Sequence, residues 1–267
     1  MLTGPMGAYF DHNATTPLDP RVREAMLPWL GERFGNPSSI HRWGREAREA
    51  VERAREEVAG LLGARAGEIV FAASGTEANN TVLQTVARRA GFRGHLVISA
   101  LEHPSIRRGA ELLEAAGMAV VRVPPAPDGV VDPGAVVAAL RPDTRLVALM
   151  RANNEIGTLQ PVAEVAAACR ERGVPVLADA VQAAGKIAVD VAALGASWVT
   201  IGGHKLHGPV GAAALWVDPA AALDPLLVGG SQERRRRAST ENVAGIVGLG
   251  RAAALAAAEL PARERRL

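Results

Sequence analysis

The chain has 267 residues, of which 48% are hydrophobic and 22% charged, and its net charge at pH 7 is +2. This composition excludes a disordered or collagen-like chain, and the small net charge argues against a general polyanion binder such as a nucleic-acid-binding protein. A single cysteine, Cys169, excludes an internal disulfide and a zinc site built on two thiolates. No long uncharged apolar run and no secretory leader is visible, so we expect a cytoplasmic protein without a membrane span.

Seven short apolar runs predict strands that are buried on both faces of a sheet. In chain order they cover residues 68–72, 96–100, 119–123, 146–150, 175–179, 198–201 and 212–217. Helical patterns cover 40–62, 76–90, 105–116, 133–140, 162–171 and 241–266. The alternation predicts an α/β fold with a mostly parallel, seven-stranded sheet between two layers of helices. A Gly- and Pro-rich loop too short for a crossover helix joins the last two runs, which allows the final strand to run antiparallel.

Polar or ionisable residues follow five of the predicted strands. Ligands bind at the carboxyl ends of parallel strands, so these residues are candidates for one site. They are Gly75 and Thr76 after the first strand, His103 after the second, Asn154 after the fourth, Asp179 and Gln182 at the fifth, and Gly202, His204 and Lys205 after the sixth.

The amine and the carboxylate of this set have complementary chemistry. Lys205, one of only two lysines, lies in a crowded turn. Desolvation and neighbouring cationic character would leave part of its amine neutral and able to attack a carbonyl. A carboxylate such as Asp179 can keep a pyridine nitrogen protonated, and the ring then accepts electrons.

The remaining groups suit a phosphate and an aromatic ring. The helix start at Gly75 and Thr76 offers amides and a positive dipole end to a phosphate. His103 can stack on a ring, and Gln182 and Asn154 can donate to a phenolic oxygen. Together with the amine and the carboxylate, these groups predict a site for pyridoxal 5'-phosphate.

Other kinds of site lack their signatures. No dinucleotide-binding or P-loop glycine pattern occurs. The other histidines lack the spacing of metal ligands, so we predict no metal site. We interpret Lys186 as structural or solvated. Cys169 lies on the apolar face of a predicted helix, so we interpret it as a core residue.

Eight longer strings resemble the cysteine desulfurases, which belong to the class V aminotransferase group of fold-type-I pyridoxal-phosphate enzymes. The strings are AYFDHNATTPLDP (8–20), FGNPSSIHRWG (34–44), ASGTEANN (73–80), LEHPSI (101–106), RANNEIGTLQP (151–161), ADAVQAAGKI (178–187), GGHKLHGP (202–209) and TENVAGIVGLG (240–250). The resemblance implies the three-layer large domain of that fold type.

The resemblance also implies roles for individual residues. Lys205 would hold the cofactor covalently and act as a catalytic residue, and His103 would stack on the ring and assist proton transfer. Asp179 would pair with the pyridine nitrogen, and Gln182 and Asn154 would contact the ring hydroxyl or the substrate. The phosphate would be held by Gly75, Thr76, His204 and the turn at Gly202, and by Thr240 of the other subunit of a homodimer.

The family converts L-cysteine to L-alanine and an enzyme-bound persulfide, which supplies sulfur for iron–sulfur clusters and other thio-cofactors. The implied partners are therefore the substrate L-cysteine, a second copy of the chain, and an iron–sulfur scaffold or another sulfur-acceptor protein. Neither nucleic acid nor a membrane is among them.

This sequence departs from the family pattern at several positions. Gly202 replaces a phosphate-binding serine, and Ser231, Arg235 and Ser239 replace glycines. A positive φ at any of these three positions would cost roughly 1 kcal/mol or more.

The resemblance also implies a division into domains. Residues 1–15 would belong to a small domain, 16–250 would form the pyridoxal-phosphate-binding large domain, and 251–267 would begin a helix leading to a missing C-terminal small domain. That domain would carry the persulfide cysteine.

Three alternatives remain open at this point. A related class V enzyme, such as a selenocysteine lyase or a cysteate-type lyase, would share the cofactor residues. A non-catalytic relative could tolerate the lost glycines. The sequence could come from an incomplete gene model, and the true product would then continue past Leu267.

Overall fold

The computed structural model of the chain describes residues 7–264, and a seven-stranded sheet forms the centre of the fold. The strands are β1 (Ile69–Ala72), β2 (His95–Ser99), β3 (Ala119–Val123), β4 (Thr144–Ala148), β5 (Val176–Asp179), β6 (Trp198–Gly202) and β7 (Ala213–Val217). Their order across the sheet is β1-β7-β6-β5-β4-β2-β3. Only β7 runs antiparallel to its neighbours β1 and β6, which confirms the predicted mostly parallel sheet.

Eight α-helices connect or flank these strands in the described part of the chain. They are α1 (Pro20–Met26), α2 (Arg42–Leu62), α3 (Gly75–Arg89), α4 (Pro104–Ala115), α5 (Pro133–Ala139), α6 (Val162–Glu171), α7 (Val191–Leu194) and α8 (Val243–Glu264). The six predicted helices are confirmed within two residues over the described range. Helices α1 and α7, with seven and four residues, were not predicted. Segments of at most two turns give only a weak helical period.

Alternate side chains of each strand enter two separate cores. Phe71 and Val97 pack on the side of α2, α6 and α8, whereas Val70 and Leu96 pack on the side of α3 and α4. This arrangement produces the three layers. The expectation that every strand is buried on both faces is wrong for β3, which lies at the sheet edge and exposes Arg122.

Helix α8 is long and apolar enough to cross a membrane by length and composition alone. Its Val243–Arg263 stretch has a mean hydropathy of 1.5 in the most apolar window, but half of that window is buried in the fold. Gly250 allows α8 to pack closely against α2, because a Cβ there would come within 2.5 Å of the Ala54 Cα in α2.

The predicted domain boundary at residues 250/251 falls inside the continuous helix α8, and the assignment of either chain end to a small domain stays a prediction. Residues 1–6 and 265–267 lie outside the described range.

The loop between β7 and α8 has an unusual backbone. Glu233, Arg234, Arg235 and Ser239 all have positive φ, at 46°, 57°, 66° and 93°. Two of the three lost glycine positions, Arg235 and Ser239, therefore adopt the conformation that favours glycine, whereas Ser231 has φ −90°. Arg235 and Ser239 therefore bear the steric cost that we expected for a residue other than glycine at positive φ.

A buried ion pair holds this loop on the sheet. The Glu233 carboxylate accepts from Arg55 Nη1 at 2.7 Å and Nη2 at 2.8 Å, and from the Phe71 amide at 2.9 Å. The two side chains are 2% and 5% exposed, and the guanidinium lies 4.6 Å from the centre of the Phe71 ring. The pair thus joins α2, β1 and the strained loop.

Replacing Glu233 with Gln should destabilise the fold strongly, because it leaves the buried Arg55 charge with only the half-exposed carboxylate of Glu52 as an anionic partner. We expect a loss of about 3–5 kcal/mol in the free energy of unfolding, measured by urea denaturation. Glu52→Ala is the matched control, since Glu52 contacts the same guanidinium at 3.2 Å but is half exposed. The control should lose less than about 1 kcal/mol. Equal losses in the two variants would contradict the anchoring role of Glu233.

Candidate cofactor site

A cavity of about 560 Å³ lies at the carboxyl ends of the parallel strands. Nine of the ten predicted site residues line it: Gly75, Thr76, His103, Asn154, Asp179, Gln182, Gly202, His204 and Lys205. The tenth, Thr240, is exposed on the strained loop before α8 and does not line this cavity. The strand ends therefore bring together residues that are up to 130 positions apart in the chain.

A second cavity, of about 640 Å³, lies at the other end of the strands, where the parallel strands begin. It is lined by residues such as Arg89, Arg145 and Arg170, and by none of the predicted site residues. We assign the functional site to the first cavity, because it combines an amine, carboxylates, imidazoles and a helix N-terminus. Within residues 7–264, no three His, Cys, Asp or Glu side chains are placed to hold a metal ion.

The turn that carries Lys205 is held by the N-terminal segment. The turn follows β6 directly, and the Lys205 amine donates to the carbonyl oxygens of Asn13 and Ala14. Thr16 Oγ1 donates to the His204 carbonyl at 2.9 Å and accepts from the His207 amide at 2.8 Å. Residues 13–16 thus fix the loop at the mouth of the cavity.

Burial is the main reason why the pKa of Lys205 is lowered. The carboxylates of Asp11 and Asp179 oppose the shift. The Lys186 amine is coupled to Lys205 by repulsion between two positive charges, and the contribution of neighbouring cations to the lowered pKa of Lys205 stays a prediction. Burial and the Lys205 charge also lower the pKa of His204.

Asp179, the last residue of β5, is buried at the floor of the cavity. Its Oδ2 accepts from Asn79 Nδ2 at 2.8 Å, and its Oδ1 accepts from the Val181 amide at 3.0 Å. Burial raises the pKa of this carboxyl, while these hydrogen bonds and the charges of His103 and Lys205 lower it. Among the described residues, no Lys, Arg or His nitrogen forms an ion pair with it within 4.0 Å, so it can serve a cationic ligand group.

The N-terminus of α3 forms another wall of the cavity. Ser74 caps the helix by accepting from the Glu77 amide at 3.1 Å, which leaves the Gly75 and Thr76 amides without a helical carbonyl. A Cβ on Gly75 would lie 3.0 Å from Val181, so glycine permits this close approach. The free amides and the helix dipole suit a phosphate.

His103 lines the cavity and caps α4. Its Nδ1 accepts from the Ser105 amide at 3.1 Å and lies 2.9 Å from the Ser105 hydroxyl. Because Nδ1 accepts from a backbone N–H, the neutral ring carries its proton on Nε2. Backbone capping and a role in the cavity are therefore compatible for this residue.

Gln182 and Lys186 form a second polar cluster with Asn13. Gln182 Nε2 donates to the Asn13 carbonyl at 2.8 Å, and Gln182 Oε1 accepts from Lys186 Nζ at 2.5 Å. Lys186 is therefore half-buried and hydrogen-bonded rather than simply solvated. Burial and the charge of Lys205 lower its pKa.

The predicted site lacked six polar residues that line the cavity, namely Asp11, Asn13, Ser74, Asn79, Ser105 and Glu155. Two of them carried a usable signal, because Asn79 follows Gly75 by one helical turn and Ser105 follows His103 by two residues. Asn13 had no such signal, since its contacts are made across more than 160 positions of the chain.

The residues present fit pyridoxal 5'-phosphate. The cavity combines an amine with a lowered pKa, a buried carboxylate, amide donors and a helix N-terminus for an anion. The buried Asn79 Oδ1 beside Asp179 has no hydrogen-bond partner among the described residues. A polar group of a ligand could satisfy this atom.

Glu102 is a fully buried carboxyl that the sequence analysis did not single out. Its Oε1 accepts from Ser99 Oγ and from the Met150 amide, both at 2.7 Å, while Oε2 has no partner among the described residues. Burial, reinforced by the charge of Asp179, raises its pKa to about 8. Glu102 is therefore protonated at neutral pH and adds no negative charge beside Asp179.

Glu102 should make the fold less stable as the pH rises. The unfolded chain releases this proton near pH 4.5, whereas the folded chain keeps it to about pH 8. Between these values the folded state binds more protons, so the free energy of unfolding falls by up to about 1.4 kcal/mol per pH unit. Glu102→Gln should remove this decline, measured by urea denaturation at pH 5, 6.5 and 8. The exposed Glu56→Gln is the control, and a Glu102→Gln profile parallel to the original chain would contradict the assignment.

Comparison with known proteins agrees with this geometry. The family model for class-V aminotransferases matches residues 8–266. Over 97% of the chain, the sequence is 45% identical to the cysteine desulfurase IscS of Dictyoglomus turgidum and 46% identical to that of Anaeromyxobacter dehalogenans. The chain spans 66% and 65% of the lengths of these two proteins.

Solved structures show the same fold. A NifS-like protein superposes with a TM-score of 0.93 at 39% identity, covering 96% of this chain and 71% of that one. SspA, solved in complex with cysteine, superposes with a TM-score of 0.90 at 36% identity, covering 92% and 72%. The fold, the site residues at the strand ends and these similarities show that the chain belongs to the class-V aminotransferase family, among relatives named cysteine desulfurases.

Proposed function

We propose that this chain binds pyridoxal 5'-phosphate and forms the cofactor-binding part of a cysteine desulfurase. The observation that carries the proposal is one cavity that holds the Lys205 amine, the buried Asp179 carboxylate and the α3 N-terminus. The complete activity would convert L-cysteine to L-alanine and a persulfide. The cofactor, when bound, supplies a ring that accepts the electrons released at the substrate's α-carbon.

Lys205 and Asp179 have the central roles in this proposal. Lys205 would hold the cofactor covalently, and burial, which lowers the pKa of its amine, favours the neutral form that can accept the α-proton of the substrate. Asp179 faces the pyridine nitrogen and holds its proton. His103 stacks on the ring, with Nδ1 fixed by the α4 amide.

The other residues position the two ends of the cofactor. Gln182 and Asn154 face the ring hydroxyl, while Gly75, Thr76 and His204 hold the phosphate at the start of α3. Gly202 leaves the phosphate without a hydroxyl at this position, and a Cβ there would come within 3.3 Å of Val181.

Borohydride trapping should label Lys205 and spare Lys186. The chain has only these two lysines, so peptide mass spectrometry after reduction in saturating pyridoxal phosphate distinguishes them directly. Lys205→Ala should abolish the label and the visible absorbance of the bound cofactor, whereas Lys186→Ala should keep both. Labelling of Lys186, or of neither lysine, would refute the proposed function.

Sulfur transfer needs a thiol other than the chain's own cysteine. Cys169 lies in α6 with no solvent exposure, and burial raises its pKa to about 11. A thiol that is both inaccessible and protonated at neutral pH is a poor nucleophile. We therefore propose that this chain binds L-cysteine but releases alanine slowly without an added sulfur acceptor.

Cys169→Ala should leave cofactor binding and any release of alanine from L-cysteine unchanged. In the folded chain Cys169 should resist alkylation, and it should react after unfolding in urea. Mass spectrometry after incubation with L-cysteine is the measurement, and a persulfide on Cys169 would overturn its structural assignment.

We further propose a homodimer in which Thr240 of each copy reaches the phosphate of the other. The position of Thr240, exposed and outside its own chain's cavity, supports this proposal. So do large exposed apolar side chains, among them Phe34, Ile40 and Trp43. Delivery of sulfur to an iron–sulfur scaffold or another acceptor is proposed from the similarity to the IscS proteins, and a cytoplasmic location stays a prediction of the sequence.

A further inference from the structure

Lys186 contacts the site through Gln182 rather than directly. It does not line the cavity, but its Nζ donates to Gln182 Oε1 at 2.5 Å and to Asn13 Oδ1 at 3.4 Å. Gln182 in turn lines the cavity and donates from Nε2 to the Asn13 carbonyl at 2.8 Å. The charged group that acts on the Lys186 amine is Lys205.

The chemistry of the ammonium group determines which end of the Gln182 amide faces it. A lysine ammonium has only donors, so it must meet the amide oxygen. The amide nitrogen then points away from Lys186, towards Asn13 and the cavity. One of its two N–H groups bonds Asn13, and within residues 7–264 no acceptor takes the other.

We propose that Lys186 is a positioning residue that fixes the orientation of the Gln182 amide, so that an N–H faces the phenolic oxygen of the cofactor. This inference rests on the proposed function. Without Lys186 only the Asn13 carbonyl would hold the amide in this orientation, and the amide would more readily rotate by half a turn and present its oxygen to the phenolic oxygen. Two acceptors would then face each other, and the hydrogen bond would be lost.

A double-mutant cycle on cofactor affinity tests this inference. The variants are Lys186→Met, Gln182→Leu and the two combined, and absorbance titration with pyridoxal phosphate gives the dissociation constants. Each single change should weaken binding about five- to tenfold, as the loss of one hydrogen bond would. In the Gln182→Leu background, Lys186→Met should cost less than about twofold, because the two side chains act as one unit.

Lys186→Arg is the matched control, since it keeps a charged group that only donates. It should bind the cofactor within about twofold of the original chain. Circular dichroism and urea denaturation check that each variant is folded, and Lys186→Ala replaces Lys186→Met if the latter does not fold.

Two outcomes would overturn the inference. An equal loss of affinity with and without Gln182 would show that Lys186 acts through its charge alone. No loss in Lys186→Met, alongside a clear loss in Gln182→Leu, would show that the amide needs no positioning. Failure of the proposed function looks different, because the original chain would then bind no pyridoxal phosphate at Lys205.

Discussion

Burial of the Asp179 carboxyl is the constraint around which the site is built. A carboxylate without water must receive hydrogen bonds or neutralise itself. Asn79 and the Val181 amide supply those bonds, and the charges of His103 and Lys205 help to keep the group ionised. Glu102, buried nearby, responds in the opposite way and holds its proton to about pH 8. Because Glu102 keeps its proton, Asp179 is the carboxyl of this buried pair that is available to a protonated ring nitrogen.

The N-terminal segment holds in place side chains that the strand ends bring to the site. The strand ends bring Asp179, Gln182 and Lys205 to one edge, but the carbonyl of Asn13 accepts from both Gln182 and Lys205. Because one backbone oxygen fixes an amide and an amine together, a shift of this segment would move both groups. The Lys186 ammonium adds a second constraint to the same cluster through Gln182.

The strained loop shows how a locally unfavourable backbone persists. Four residues other than glycine adopt positive φ between positions 233 and 239. The buried Arg55–Glu233 pair holds the loop at one end, and Arg237 pairs with Glu77 at the start of α3. These contacts place Thr240 on the surface and link the loop to the helix whose N-terminus lines the cavity. The two ion pairs therefore hold the loop in place although Arg235 and Ser239 stand where the family has glycines.

The sequence by itself determined the seven strands, the antiparallel last strand and the polar residues that follow the strands. Each of these depends on local pattern, because hydrophobic period, glycines and prolines act over a few residues. Only the tertiary structure decided that Asn13 reaches Gln182 and Lys205, that Arg55 meets Glu233, and that Glu102 is buried beside Asp179. These contacts join residues up to 192 positions apart or depend on desolvation. Neither long-range proximity nor the loss of water can be inferred from the residue types along a single chain.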